Sequence, residues 1–104
     1  DTLILITPHG AMFRDAMAMV TERSISGNLA QFNAANVKFN YHINLDLTRK
    51  IIKYADEENL NVAALNKENA YVYGVDLELD HGAMVPLYFI EKYGKYKLVH
   101  ITYE

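Results

Sequence analysis

The sequence predicts an α/β fold: a mixed, mostly parallel sheet with flanking helices. Three observations carry that prediction. Leu3-Ile4-Leu5-Ile6-Thr7 is an unbroken apolar run, rich in β-branched residues and stopped by Pro8, as in a strand covered on both faces. From Asn44 to Leu60 apolar residues recur at helical spacing, and the short apolar stretch Asn61 to Leu65 follows directly; strand, helix, strand in that order suits a parallel crossover. Tyr96 to Tyr103 alternates Leu98, His100 and Thr102 against Val99, Ile101 and Tyr103, a final strand with both faces mostly covered.

Taken in chain order, the opening strand at 3–7 demands covering layers above and below it. Between Phe13 and Tyr41 the signals weaken. Met17-Ala18-Met19-Val20 suits a strand or a helix, and Ser24 to Val37 is polar, small and expected to be irregular, a connection long enough to suggest function. The 44–60 helix buries Leu47, Ile51, Ile52 and Ala55, with Asn44 or Asp46 as its N-cap and Asn59 near its end. Residues 66–70 read as a surface loop. Tyr71 to Asp80 contains a strand with Val75, Leu77 and Leu79 on one side and Asp76, Glu78 and Asp80 on the other. From Val85 to Gly94 the reading is a helix that begins near Pro86, carries Lys92 in its last turn and ends on Gly94 at the left-handed C′ position.

Composition bounds the function. A chain of 104 residues, 51% hydrophobic and 22% charged, makes one globular domain. The net charge of −3 comes from interleaved acids and bases, so no basic stripe exists to neutralise phosphates and nucleic acid is not an expected partner. With no cysteine there is neither disulfide nor thiolate metal site, which fits a reducing cytoplasmic location. No apolar run approaches the roughly 20 residues that span a bilayer, and no signal peptide is visible. A chain that opens without methionine and enters a strand by Leu3 is expected to be an internal piece of a larger protein.

His-Gly-Ala-Met occurs twice, at 9–12 and 81–84, each time after a strand-like run. Imidazole titrates near neutrality and binds transition metals, and a following glycine admits a tight turn and a close ligand. His9 lies just past the carboxyl end of the first strand, where open α/β sheets place their crevices. His81 lies a few residues ahead of the expected helix, whose positive end would disfavour imidazolium and keep a neutral base available. On pattern alone the functional and structural readings of these two histidines weigh evenly. His42 and His100 are assigned to surface or hydrogen-bonded structural positions. Asp76, Glu78 and Asp80 on one strand face offer a hard-cation site, but a solvated edge is favoured about threefold on burial statistics. Met12, Met17, Met19 and Met84 are read as core fillers, and the eight tyrosines as packing residues. There is no Gly-rich phosphate loop, nucleophile elbow or close histidine pair.

Three segments carry a resemblance: Leu5-Ile6-Thr7-Pro8-His9-Gly10-Ala11-Met12-Phe13, Ser26-Gly27-Asn28-Leu29-Ala30-Gln31-Phe32-Asn33-Ala34, and Glu78-Leu79-Asp80-His81-Gly82-Ala83-Met84-Val85-Pro86-Leu87. Together they resemble the catalytic subunits of class III extradiol ring-cleavage dioxygenases. The middle one is most similar to the dioxygenase-like domain of AmmeMemoRadiSam system proteins. The resemblance implies a non-haem Fe(II) enzyme acting with dioxygen on a small aromatic diol of catechol type, its metal held by two histidines and a glutamate. Carried onto this sequence, His9 corresponds to the second metal histidine. His81 corresponds to the non-ligand acid/base that takes a proton from the substrate hydroxyl.

In that family the first metal histidine comes from a strand before the one that opens this chain, and the carboxylate ligand from beyond Glu104. Residues 1–104 are therefore expected to be a single partial domain that alone binds iron poorly and is inactive. Glu104 is not offered as the missing ligand. The alternative implied by the same resemblance is an accessory or binding module of the AmmeMemoRadiSam system that does not cleave rings. A partial domain exposes a strand edge and apolar surface, so a homo-oligomer through the sheet edge or the exposed face is expected.

Overall fold

The side chains at the element boundaries explain the architecture. In a computed structural model describing residues 1–8, 16–29, 34–75 and 77–103, and of 34–36 and 81 the backbone alone, the chain runs β1 (Thr2–Thr7), β2 (Met17–Val20), β3 (Ser24–Leu29), β4 (Ala34–His42), α1 (Leu45–Glu57), β5 (Val62–Leu65), α2 (Lys67–Tyr73), α3 (His81–Ile90), a 3-10 turn (Glu91–Tyr93) and β6 (Lys97–Thr102). Asn44 caps α1: its Oδ1 accepts the Leu47 N–H at 3.1 Å while its Nδ2 donates to Thr2 Oγ1 at 2.8 Å, tying the helix start to β1. Asn59, at φ 60°, turns the chain after the last turn.

The main sheet has the order β1-β6-β2-β5. β1 runs parallel to β6, and β2 parallel to β5, while the central β6–β2 pair is antiparallel through Ala18↔Thr102 and Met19↔Ile101. The expected mixed, mostly parallel sheet with flanking helices is what forms. β3 and β4 make a separate two-stranded antiparallel sheet. One face of the main sheet, through Leu98 and the half-buried Leu3 and Leu5, packs beneath α3 and the β3–β4 sheet, including Leu87, Met84, Tyr41 and Phe39. The other, through Met19, Val99 and Ile101, packs on Leu47, Ile51 and Ile52 of α1. No helix among the described residues is long and apolar enough to cross a membrane.

Several expectations need correction. β1 is covered on one face only: α1 lies over β5 and β6, and Ile4 and Ile6 remain 55% and 63% exposed on an edge strand. The stretch from Ser24 to Val37 is not irregular but supplies β3 and part of β4, whose pairing buries Ile25, Phe39 and Tyr41. The expected loop at 66–70 is the first half of α2. Asn66 accepts the Asn69 N–H at 2.9 Å and Asn69 returns the favour to the Asn66 N–H at 2.8 Å, a capping box built from two asparagines. Tyr71 to Tyr73 complete that helix, which Gly74 ends at φ 71°; of the strand expected over 71–80, Glu78 alone makes a bridge, to Ser26. α3 begins at His81 rather than near Pro86, because Asp80 supplies a cap and Pro86 is taken into the helix interior. Gly94 does follow the terminal 3-10 turn, but at φ 132° and ψ −179°, outside the left-handed helical region.

Candidate functional site

Polarity rises along the β1–β6 pair on the side that faces α3. The register puts Leu3 beside Leu98, then Leu5 beside His100, then Thr7 beside Thr102; residues two apart share a face. Thr7, His100 and Thr102 are all buried. On the opposite face the partners stay apolar, Ile4 with Val99 and Ile6 with Ile101. The carboxyl rim of the parallel pair, on the α3 side, is thus where the core turns polar.

The start of α3 is built just as specifically. Asp80 is its N-cap: Oδ1 accepts the Ala83 N–H at 2.9 Å, and its carbonyl accepts the Met84 N–H at 2.9 Å. Ahead of it, the Leu79 N–H donates to the Ser26 carbonyl at 2.8 Å, which straps the segment to β3. Gly27 permits that approach. A Cβ there would lie 2.8 Å from the Leu79 carbonyl oxygen, 2.9 Å from its Cβ and 3.0 Å from Met84 Sδ. At the far end, the Tyr41 hydroxyl donates to Glu91 Oε1 at 2.8 Å, holding the 3-10 turn that continues α3. Burial, and then the Glu91 carboxylate, push the Tyr41 hydroxyl well above its ordinary range.

His100 is the unexpected member. It is 4% exposed, and neither ring nitrogen has a hydrogen-bond partner. The Oδ2 of Asp80 is likewise buried and unpartnered. Burial lowers the His100 pKa, opposed by the weaker pull of the Asp80 carboxylate, so the ring is neutral at neutral pH. The reading of His100 as a surface or hydrogen-bonded residue is thereby overturned. Its signal was present in the sequence as a histidine in phase with Leu98 on a strand covered on both faces.

Of the other candidate residues, His81 is the first residue of α3, adjoining the cap whose charge reaches His100. His9 lies outside the described residues, two positions beyond Thr7 in sequence. The triple-carboxylate face does not form: Asp80 is spent on the helix cap, Glu78 is exposed, and Asp76 lies outside the described residues. His42 is exposed, as expected, and Met19 and Met84 are core fillers. Among the described residues no three His, Cys, Asp or Glu side chains group so as to hold a metal ion.

No solved structure matches the chain. Protein CA_C1420 of Clostridium acetobutylicum is 46% identical over 104 residues, covering 99% of this chain and 22% of its own length. The chain therefore spans about a fifth of the curated relative it matches. The family model of the catalytic LigB subunit of aromatic ring-opening dioxygenase matches residues 1–104, the whole stretch over which the three segments carry their resemblance. That match extends from the polar rim of β1 and β6 through the capped start of α3, and the chain belongs to the LigB family.

Proposed function

We propose that this chain forms part of an Fe(II)-dependent extradiol dioxygenase domain that opens catechol-type aromatic diols with dioxygen, His9 being a metal ligand and His81 the acid/base. The observation that carries the reading is the start of α3 at His81, on a cap tied to the polar end of β6. The positive end of a helix disfavours imidazolium. A histidine there is suited to accept a proton from a substrate hydroxyl and to return it later. The described residues assemble no metal site of their own. In this reading the other ligands come from outside 1–104, and these residues alone hold iron poorly and are inactive.

A second reading, a dioxygenase-like accessory or binding module of the AmmeMemoRadiSam system without ring cleavage, is favoured by the Ser26 to Ala34 segment, whose Gly27 packs beneath the approach to His81. In either reading the protein is proposed to be cytoplasmic. Self-association through β1 is also proposed, supported by the exposed Ile4 and Ile6 on an edge strand; a monodisperse monomer in light scattering at high concentration refutes it.

The deciding experiment loads the complete protein with iron anaerobically and follows oxygen uptake with a panel of catechols. His81→Ala is expected to keep iron and lose turnover, and His9→Ala to lose iron. Metal binding without turnover on any diol selects the accessory module, and equal metal loss in both variants overturns the assignment of roles.

A further inference from the structure

We propose that Asp80 and His100 form a buried carboxylate–imidazole couple that positions His81, His100 acting through the helix cap and not on substrate. The inference rests on the reading of His81 as the acid/base. Its geometric part stands on the two strands and the helix alone.

The two oxygens of Asp80 have different fates. Oδ1 is committed to the Ala83 N–H at 2.9 Å, while Oδ2 is buried without a partner. His100 brings two more buried, unpartnered atoms, Nδ1 and Nε2, from the α3-facing side of β6. Buried polar groups in native proteins are almost always satisfied. These are complementary: a neutral imidazole offers one N–H and one acceptor, and an ionised carboxylate oxygen accepts. The Asp80 carboxylate is also the charge that acts on His100. The couple closes when the His100 N–H reaches Oδ2, directly or through one water.

Closure has a consequence for the next residue. With Oδ1 held by the first turn of α3 and Oδ2 held by β6, the Asp80 side chain cannot rotate its oxygens out of the cap, and the backbone that delivers His81 is fixed from two sides. The same stretch of β6 carries Thr102, in register with Thr7, so the couple joins the carboxyl rim of the sheet to the start of the helix. An imidazole bound to a carboxylate is a common way of orienting a functional group that the pair itself does not touch.

The test uses the complete protein with isotope-labelled histidine. In His100→Phe the amides of Ala83 and Met84 should exchange with solvent roughly tenfold faster, the scale of a weakened helix cap, while the Thr48 amide at the start of α1 is unchanged. His100→Asn, which keeps a side-chain N–H, should restore most of the protection. Asp80→Ser keeps a capping oxygen and removes Oδ2, so Ala83 should stay protected while the ring nitrogen shifts of His100 move; this variant decides the matter even where His100→Phe does not fold. Unchanged His100 ring signals in Asp80→Ser, or a loss of protection in His100→Phe that Thr48 shares in proportion, overturns the couple. In the catechol assay His100→Phe should lower kcat while leaving KM within about twofold. If His81→Ala retains full turnover, the functional reading fails, and the exchange and ring signals still decide whether Asp80 and His100 are coupled.

Discussion

Gly27→Ala isolates the closest backbone approach in the molecule. A Cβ at this position would stand 2.8 Å from the carbonyl oxygen of Leu79, 2.9 Å from its Cβ and 3.0 Å from Met84 Sδ. The methionine sulfur sits near the end of a flexible side chain and can swing aside. The Leu79 carbonyl cannot, because its own N–H is bonded to Ser26, the neighbour of the mutated residue. An ordinary carbon–oxygen contact is about 3.3 Å, so β3 and the segment before Asp80 must part by roughly half an ångström. Overpacking of this kind costs about 1–3 kcal/mol. Replacing glycine with alanine restrains the unfolded chain and returns only about 0.4–1 kcal/mol. The net expectation is a loss of about 1–2 kcal/mol, which lowers the urea midpoint by roughly 0.5–1 M. Gly74 is the control: at φ 71° it has nothing within 4 Å of a Cβ, so its cost is backbone strain and asparagine should rescue it, whereas Gly27→Asn should be worse than Gly27→Ala. A Gly27→Ala midpoint equal to or above the parent refutes the reasoning, since it means that the steric term does not outweigh the gain.

Three further expectations follow from the same packing. Leu87, fully buried under α3, should cost about 2–5 kcal/mol when cut to alanine, read as a lower urea midpoint without a change in slope. Asn44→Ala removes both the α1 cap and the bond to Thr2; about 0.5–2 kcal/mol should be lost, with faster amide exchange at Leu47. Because burial holds the His100 pKa below 6.5 in the folded state, the unfolded chain takes up that proton first as pH falls. Stability should therefore decline below about pH 6.5 by up to roughly 1.4 kcal/mol per pH unit, until the folded-state group itself titrates; His100→Asn should flatten this part of a stability–pH curve.

Where hydrophobic periodicity alone sets an element, the sequence was legible: α1 lies within the expected span and starts on Asn44, and β5 and β6 fall where the apolar runs place them. The errors share one cause, a local signal decided by a distant or reciprocal contact. Asn66 and Asn69 look like loop residues until each is seen to accept from the other's backbone. The Ser24 to Leu29 stretch has too few apolar residues to announce a strand, and it becomes one by pairing with β4. Pro86 suggested a helix start because proline fits the first turn, but Asp80, with its oxygen on Ala83, is the stronger determinant. That displacement matters for function, since it moves His81 from a linker to the first residue of the helix. His9 lies outside the described residues, so its part in the site remains an expectation from the resemblance.

The buried strand β6 shows what periodicity conveys once both faces are considered separately. On its α1 side Val99 and Ile101 face an apolar layer, and nothing there invites a polar ligand. On its α3 side the succession Leu98, His100, Thr102 trades packing energy for polar groups as it nears the rim. Desolvating an imidazole without compensation is unfavourable, and Leu5, its registered neighbour, offers it no side-chain hydrogen bond. The only described charge acting on it is Asp80, which also opens α3. A strand that needed nothing but packing at this position would be better served by another Leu or Val. The polar gradient is therefore best explained by what lies at its end: the helix start that carries His81 and the strand end that leads to His9.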